Sequence, residues 1–251
     1  MQRIIVTLIS LALSVGVAAA PQAQSPTAAA LSFYRALKAK RYVEGFRHSV
    51  YRGAVEGLSA AELQELEPDF ARTFAQIPDR ITPQGEQVAG DTATVTLKFA
   101  DADEPQAVAL IHVGGEWLVG DQAAMTEVKQ QGRAYFFNAR MLANEDEVVD
   151  MLQHIIGAEV IYGRKYTGRC APLAELIRLG GVPKDMETGI VNGYRYTMTL
   201  SADQSSFTAL AVPVVYAKTG RLSFYADLNG IRAQDLKGQP ATVSSPIFQP
   251  K

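Results

Sequence analysis

The chain has 251 residues, of which 47% are hydrophobic and 20% are charged, and its formal net charge is −2. This composition is typical of a folded globular chain and excludes a dominant disordered, collagen-like or coiled-coil state. The near-neutral charge argues against a nucleic-acid partner, because proteins that bind nucleic acid electrostatically carry a surplus of Lys and Arg.

Residues 1–20 have the pattern of a secretory signal peptide. A positive start at Arg3 is followed by an uncharged apolar run over residues 4–17 and by three small residues, Ala18-Ala19-Ala20. The apolar run of about 14 residues is shorter than the roughly 20 that a membrane-spanning helix needs. We therefore expect cleavage after Ala18 or Ala19, no stable membrane span afterwards, and a periplasmic or secreted protein. An uncleaved N-terminal anchor is the alternative.

The remaining sequence divides into two halves of opposite net charge. Residues 25–122 carry a net charge of −5 and residues 123–251 a net charge of +2, and each half begins with helical periodicity and ends in strand-like segments. This repeated order predicts an α+β protein with two domains. We place the domains at residues 25–122 and 140–236, with a linker or helical connection at 123–139 and an extended tail at 237–251.

The first half is predicted to be three helices followed by an antiparallel sheet. Ser25-Pro26 is an N-cap with Pro at the first helical position, and the Ser59–Glu62 pair is a capping box that opens a later helix. Residues 91–99 alternate between apolar and polar, which predicts a strand with one buried face. Gly114-Gly115 predicts a two-residue hairpin turn between the last two strands.

This half resembles an NTF2-like domain of the kind found in exported bacterial proteins. The resemblance covers roughly residues 26–121 and is carried by the runs PTAAALSFYRALKAKRYVEGF and AVALIHVGGEWLVGD. It implies a cone in which helices cover a bent sheet and leave a pocket, which we expect Tyr34, Phe99 and Trp117 to line. Some members of the family are enzymes, whereas many exported members have no known activity.

Catalysis in such a pocket would need an acid/base pair, commonly a His with a carboxylate. His48 and His112 are the weak candidates of this half, and neither lies in a recognisable catalytic motif. Cys170 is the single cysteine of the chain, so it cannot close an internal disulfide. We interpret it as a buried small hydrophobe, with an intermolecular disulfide as the alternative.

The second half is predicted to be one long helix laid on an antiparallel sheet. Asn144 with the acidic residues 145–147 indicates a helix N-terminus, and the apolar face continues to residue 162, with Gly163 as the stop. A short helix follows Pro172 and ends at Gly180-Gly181. Strands are predicted over residues 194–200, 207–216 and 222–226, and Asn229-Gly230 predicts a tight turn.

This half resembles the globular region of type IV pilin-like proteins and of type II secretion pseudopilins. The resemblance covers roughly residues 140–236 and is carried by the runs NEDEVVDMLQHIIGAEVIYGRKY, CAPLAELIRLGG, NGYRYTMTLS, FTALAVPVV and GRLSFYADLNGIRAQ. The chain lacks the prepilin cut site and the apolar filament-forming helix of true pilins. The resemblance therefore implies the fold and a partner-binding role in the envelope or in a pilus or secretion system.

Asp227 and Asn229 are weak calcium candidates, because some pseudopilins hold calcium near this position. Calcium takes six to eight oxygen ligands, however, and an ordinary Asn-Gly turn accounts for both residues. We predict no metal and no cofactor, since the sequence has neither zinc-ligand spacing nor a phosphate-binding glycine loop.

The function predicted from the sequence is a non-enzymatic exported protein that serves as an interaction or small-molecule-binding module. A minor pilus-associated subunit is a variant of this prediction. The alternative is a small hydrolase or isomerase that uses the NTF2-like pocket.

Overall fold

We describe the computed structural model of the chain over residues 24–100 and 102–249. The predicted signal peptide lies outside the described residues. Over these ranges the protein has an α+β fold with two antiparallel sheets, one of four and one of five strands. Every helix within them is too short or too polar to span a lipid bilayer.

Between residue 24 and the first sheet lie four helices. They are α1 (Pro26–Lys38), α2 (Tyr42–Arg47), α3 (Arg52–Val55) and α4 (Ala60–Thr73). Helix α1 begins as predicted, with the Ser25 side chain accepting a hydrogen bond from Ala28 N at 3.2 Å. The predicted capping box also opens α4, where the Glu62 carboxylate accepts the Ser59 N–H at 2.8 Å and the Ser59 hydroxyl accepts the Glu62 N–H.

The first sheet has its strands in sequence order, each antiparallel to the next. They are β1 (Ile81–Ala89), β2 (Thr92–Phe99), β3 (Gln106–Val113) and β4 (Glu116–Val119). The predicted alternation of β2 is confirmed, since Val95, Leu97 and Phe99 are buried beneath the helices. The hairpin between β3 and β4 turns at Gly114 and Gly115, whose φ angles of 61° and 88° lie in the left-handed region that favours glycine.

The helices and the first sheet enclose the main hydrophobic core of this half, and a smaller separate cluster includes Ile111 and Met125. The largest fully buried side chains of the main core are those of Leu37, Phe46, Leu66, Leu97 and Leu110. They come from α1, α2, α4, β2 and β3, whereas β1 contributes no fully buried side chain. The aromatic side chains of Phe136 and Phe137, which lie beyond the sheet in sequence, pack against the same core.

The segment predicted as a linker or helical connection is largely helical. It contains α5 (Gln122–Gln131), a short 3-10 turn at Gly132–Ala134, and the start of α6 (Tyr135–Lys165). Asp121 caps α5 by accepting the Ala124 N–H at 2.8 Å. Helix α6 is 31 residues long and therefore runs through both the predicted linker and the predicted second domain.

The predicted helix start at Asn144 is wrong. Asn144 lies inside α6, and its side-chain amide donates to the backbone oxygen of Thr219 at 2.9 Å instead of capping the helix. Residues 135–144 contain neither Gly nor Pro, so nothing in their backbone prevents the helix from starting about two and a half turns earlier. The predicted stop at Gly163 is also wrong by two residues, because α6 ends at Lys165.

The second half contains one further short helix and the five-stranded sheet. The elements are α7 (Leu173–Arg178), β5 (Ile190–Val191), β6 (Tyr194–Leu200), β7 (Phe207–Pro213), β8 (Leu222–Asp227) and β9 (Gly230–Asp235). Consecutive strands pair antiparallel, and β8 turns into β9 through Leu228 and Asn229, one residue before the predicted Asn229-Gly230 turn. The predicted second strand is shorter than expected and ends at Pro213, three residues before residue 216.

A second hydrophobic core lies between α6 and this sheet. Val148, Leu152 and Ile155 of α6 are at most 1% exposed and pack with Tyr194 and Phe224 of the sheet. Because the apolar face of α6 repeats at three- and four-residue steps, the helix turns a continuous stripe toward the sheet. The two cores share no buried residue, and α6 is the element that contacts both.

The tail runs in an extended path beside β9. Its Pro246 oxygen accepts the Ala233 N–H at 3.0 Å, and the Phe248 N–H donates to the Ile231 oxygen at 2.9 Å. Ser245 is buried, and Phe248 packs against Phe224 at a ring-centroid distance of 5.9 Å. These contacts place the described part of the tail along the surface of the second sheet.

Candidate functional site: an aromatic cleft between two helices

A cleft of about 420 Å³ lies between α4 and the first three turns of α6. We call it the aromatic cleft. Its lining is formed mainly by aromatic and apolar side chains, with a few charged or polar residues at its edge: Phe33, Phe46, Tyr51, Leu66, Asp69, Phe70, Arg72, Thr73, Phe74, Tyr135, Phe136, Ala139, Arg140 and Ala143. Its volume is in the range of small-molecule sites, which are concave and mostly apolar.

Three phenylalanines from three different helices meet in the wall of the aromatic cleft. The ring centroid of Phe136 lies 4.9 Å from those of both Phe46 and Phe70, and the latter two are 5.1 Å apart. Edge-to-face and tilted pairs at these distances are favourable because the positive edge of one ring meets the negative face of another. This cluster fixes the first turn of α6 against α2 and α4.

A pair of tyrosines adds the polar groups of the lining. The rings of Tyr51 and Tyr135 are 5.5 Å apart. Burial is the main cause that raises the pKa of Tyr135 to about 12, with smaller contributions from Tyr51 and Glu127. Tyr135 therefore stays protonated at neutral pH and can donate or accept a hydrogen bond at the cleft.

Arg140 closes one edge of the aromatic cleft with a network of ionic contacts to α4. Its Nε donates to Asp69 at 2.6 Å, and its two terminal nitrogens donate to the carboxylate of Glu65 at 3.0 Å and to the Glu65 backbone oxygen at 2.7 Å. Lys218, from the loop before β8, donates to the same Glu65 carboxylate at 3.0 Å. The hydrogen bond from Lys218 is the largest cause that lowers the Glu65 pKa, and Arg140 adds to it.

Arg72 lies at the mouth of the aromatic cleft and is much less engaged. Its side chain is 59% exposed, and its contact is with Asp69 at 3.4 Å. Asp69 is already bonded to Arg140 at the shorter distance of 2.6 Å. At the mouth of the cleft, the Arg72 guanidinium therefore has N–H donors that are not used by Asp69, and it lies beside an apolar interior.

Of the three residues predicted to line the pocket, the structure brings two together. Tyr34 and Phe99 form an edge-to-face pair with centroids 5.2 Å apart. Trp117 lies at the opposite end of the sheet. It pairs with His112 near the β3–β4 hairpin, next to the start of β2 at Thr92, whereas Phe99 lies at the end of β2, about 23 Å away. None of the three belongs to the lining of the aromatic cleft.

The two candidate catalytic histidines lie away from the aromatic cleft. His48 follows α2 and is half-buried, and its backbone oxygen accepts the Val119 N–H at 2.9 Å. His112 packs on Trp117 with centroids 4.8 Å apart, and its Nδ1 is 3.6 Å from a carboxylate oxygen of Asp91. The Asp91 side chain is 88% exposed, so this histidine–carboxylate pair lies on the surface.

The weak calcium candidates form a turn. One carboxylate oxygen of Asp227 accepts the Asn229 N–H at 2.7 Å, which is the hydrogen bond of an Asx turn. Over the described ranges, no group of three or more His, Cys, Asp or Glu side chains is arranged to hold a metal ion.

Cys170 is a buried free thiol in the second core, as predicted. Burial is the main cause that raises its pKa, and the neighbouring Glu159 carboxyl raises it further. A thiol of raised pKa is a poor nucleophile, because the thiolate is the reactive form.

Two other grooves are larger but carry less apolar, more charged linings. One, of about 600 Å³, lies beside α2 and includes Lys40, Arg41 and Arg47 of the basic helix face together with two glutamates. Another, of about 680 Å³, lies between α6 and the tail and carries the carboxylates of Glu145, Asp146 and Asp150. The aromatic cleft combines the smallest volume of the three with the densest set of rings.

The sequence-based prediction missed the α6 side of the cleft. The run Tyr135-Phe136-Phe137 falls in the segment predicted as a linker or helical connection, and three consecutive aromatic side chains are unusual in a linker because linkers are commonly polar. That run was a signal of burial at this position.

Comparisons with known proteins find no counterpart of this arrangement. The chain matches no family model, and neither the curated proteins nor the solved structures contain a significantly similar chain.

Proposed function

We propose that the protein is a non-enzymatic binding protein of the bacterial cell envelope that holds a small apolar molecule in the aromatic cleft. The observation that carries this proposal is the ring-lined cavity of about 420 Å³ at the contact between α4 and α6. The Tyr135 hydroxyl and the Arg72 guanidinium supply the few polar groups with which such sites orient a ligand.

The same proposal assigns the two halves to two modules. Helices packed on a four-stranded antiparallel sheet support an NTF2-like first domain, and one long helix packed on a five-stranded antiparallel sheet supports a pilin-like second domain. In this view the first module binds the ligand, and the second contacts an envelope, secretion or pilus protein. The predicted signal peptide supports a periplasmic or secreted location.

The alternative of a small hydrolase or isomerase has less support. Such an enzyme needs its base within reach of bound substrate, and the lining of the aromatic cleft includes neither His48 nor His112. The carboxylate of Asp69 in the lining accepts a hydrogen bond from Arg140 at 2.6 Å, so it is already engaged by a protein donor.

The test is titration with the neutral apolar dye N-phenyl-1-naphthylamine, whose fluorescence rises in apolar surroundings. We expect saturable binding of one dye per chain. Ala143→Leu places a larger side chain on an exposed helical position of the lining, so it should fill the cleft and weaken binding at least tenfold without disturbing the fold. Ala123→Leu, at an exposed position of α5, is the matched control and should bind as the unmodified protein does.

Two results would reject the proposal. One is dye binding that does not saturate, and the other is equal affinity in Ala143→Leu and in the control.

A further inference from the structure

We propose that the ligand of the aromatic cleft is an amphipathic carboxylate, an apolar body carrying one carboxyl group, and that Arg72 binds this group. The inference rests on the proposed function and adds the chemical class of the ligand. It is based on a difference between the two arginines of the lining: Arg140 donates three hydrogen bonds to α4, whereas Arg72 makes one long contact with Asp69.

Arg140 has a structural role. Its side chain is 10% exposed, and its three donors are directed at the two acidic side chains and one backbone oxygen of α4. A ligand carboxylate that bound Arg140 would have to break these short contacts, leaving Asp69 with only its long contact to Arg72 and Glu65 with only Lys218. Arg140 is therefore committed to holding α6 against α4.

Arg72 is available to a ligand. A guanidinium carries five N–H donors, and its contact with Asp69 at 3.4 Å is longer than the 2.7–2.9 Å typical of charge-assisted hydrogen bonds. Asp69 keeps a closer partner in Arg140, so releasing Arg72 from it costs little. A ligand carboxylate can thus accept two parallel N–H bonds from Arg72, which is the geometry that guanidinium groups favour.

The charge of the lining selects a monoanion. Arg72, Arg140 and Asp69 are the charged residues of the lining and give it a net charge of +1. A cationic amphiphile would be repelled by Arg72, and a dianionic phosphate at Arg72 would be repelled by the neighbouring Asp69. Behind Arg72, the rings of Phe74 and of the phenylalanine cluster accept the apolar body.

The experiment is displacement of N-phenyl-1-naphthylamine by matched pairs of acid and ester. Decanoate and methyl decanoate form the alkyl pair, and 2-naphthoate and its methyl ester form the aryl pair. The two pairs compare a ligand with an alkyl body and a ligand with an aryl body. We expect the acid of at least one pair to bind about tenfold more tightly than its ester, the order expected for one charge-assisted pair at a partly exposed site.

Arg72→Gln should remove this preference and leave the affinity for the ester unchanged. Arg164→Gln, which deletes one exposed charge at the far end of α6, is the control and should keep the preference.

Failure of this inference is distinguishable from failure of the proposed function. Equal binding of acid and ester by the unmodified protein, or a preference that survives in Arg72→Gln, overturns the carboxylate inference while dye binding still supports the cleft. Absence of saturable dye binding overturns both.

Discussion

Replacement of Arg140 by Met tests whether ionic contacts hold α6 against α4 and so maintain the aromatic cleft. Met preserves much of the length and apolar stem of the side chain but removes all three donors to Glu65 and Asp69. The Arg140 side chain is 10% exposed, whereas the two carboxylates are 34% and 26% exposed. The ion pairs of Arg140 are therefore partly buried, and their contribution to stability should be intermediate between that of an exposed pair and that of a fully buried pair.

The size of the effect follows from that position. Exposed ion pairs contribute about 0.2–1 kcal/mol, and breaking a buried pair costs about 3–5 kcal/mol, so we expect Arg140→Met to lower the free energy of unfolding by about 2–3 kcal/mol. With a urea m-value of about 2–3 kcal/mol/M, the midpoint of unfolding should fall by about 1 M. Trp117 is the single tryptophan and packs against the first core, so its fluorescence reports the unfolding of that core.

A double-mutant cycle with Glu65→Gln separates the ion pair from the packing of the Arg140 stem. The two substitutions should be non-additive by at least about 1 kcal/mol, because each removes one partner of the same contact. A loss below about 0.5 kcal/mol in Arg140→Met, or full additivity in the cycle, would refute the reasoning.

Two further predictions concern the second core. Glu159 is 1% exposed, both of its carboxylate oxygens face the Ala171 N–H, and burial raises its pKa above 4.5. Because the folded protein favours the protonated form, the stability from this group is present at low pH and is lost as the pH rises through the raised pKa. The free energy of unfolding of Glu159→Gln should therefore increase relative to that of the unmodified protein as the pH is raised from 4.5, measured by urea unfolding at each pH. A difference between the two proteins that does not change with pH would contradict this. A Cβ at Gly220 would overlap the Tyr194 hydroxyl, so Gly220→Ala should lower the free energy of unfolding by at least about 2 kcal/mol in the same assay. At Gly157, inside α6, a Cβ meets open space, so Gly157→Ala should raise it by about 0.5–1 kcal/mol. Equal effects of the two substitutions would contradict this.

The local elements of the fold could be predicted because their signals are local. The Ser59–Glu62 capping box, the alternation along β2 and the Gly114-Gly115 turn each depend on a few neighbouring residues, and all three are found where expected. The burial of Glu159 has a local signal as well, because its four-residue spacing from Ile155 puts it on the buried face of α6.

The start of α6 could not be predicted in the same way. Asn144 followed by three acidic residues has the composition of a helix N-terminus, yet the helix continues through it. The energy that extends the helix comes from Phe136, which packs on Phe46 and Phe70, and from Arg140, which pairs with α4. These tertiary contacts outweigh a capping preference of about 1 kcal/mol.

The aromatic cleft is also a product of tertiary structure. Its two walls are separated by about 70 residues of sequence, and the polar contacts between them, such as Arg140 to Glu65, join residues 75 positions apart. No pattern within either wall indicates the other. The prediction of a pocket lined by Tyr34, Phe99 and Trp117 rested on a family resemblance. The largest cluster of aromatic rings in the described residues lies instead between helices, around Phe46 and Phe136.

The most direct test of the ligand site is an NMR titration of the protein with selectively labelled alanine methyl groups. If the aromatic cleft binds N-phenyl-1-naphthylamine, the methyl signals of Ala139 and Ala143 should shift in a saturable manner with one common dissociation constant, while that of Ala123 on α5 should stay in place. Saturable shifts confined to alanines outside the cleft, or unchanged signals from Ala139 and Ala143 while the dye binds, would contradict the assignment of the site.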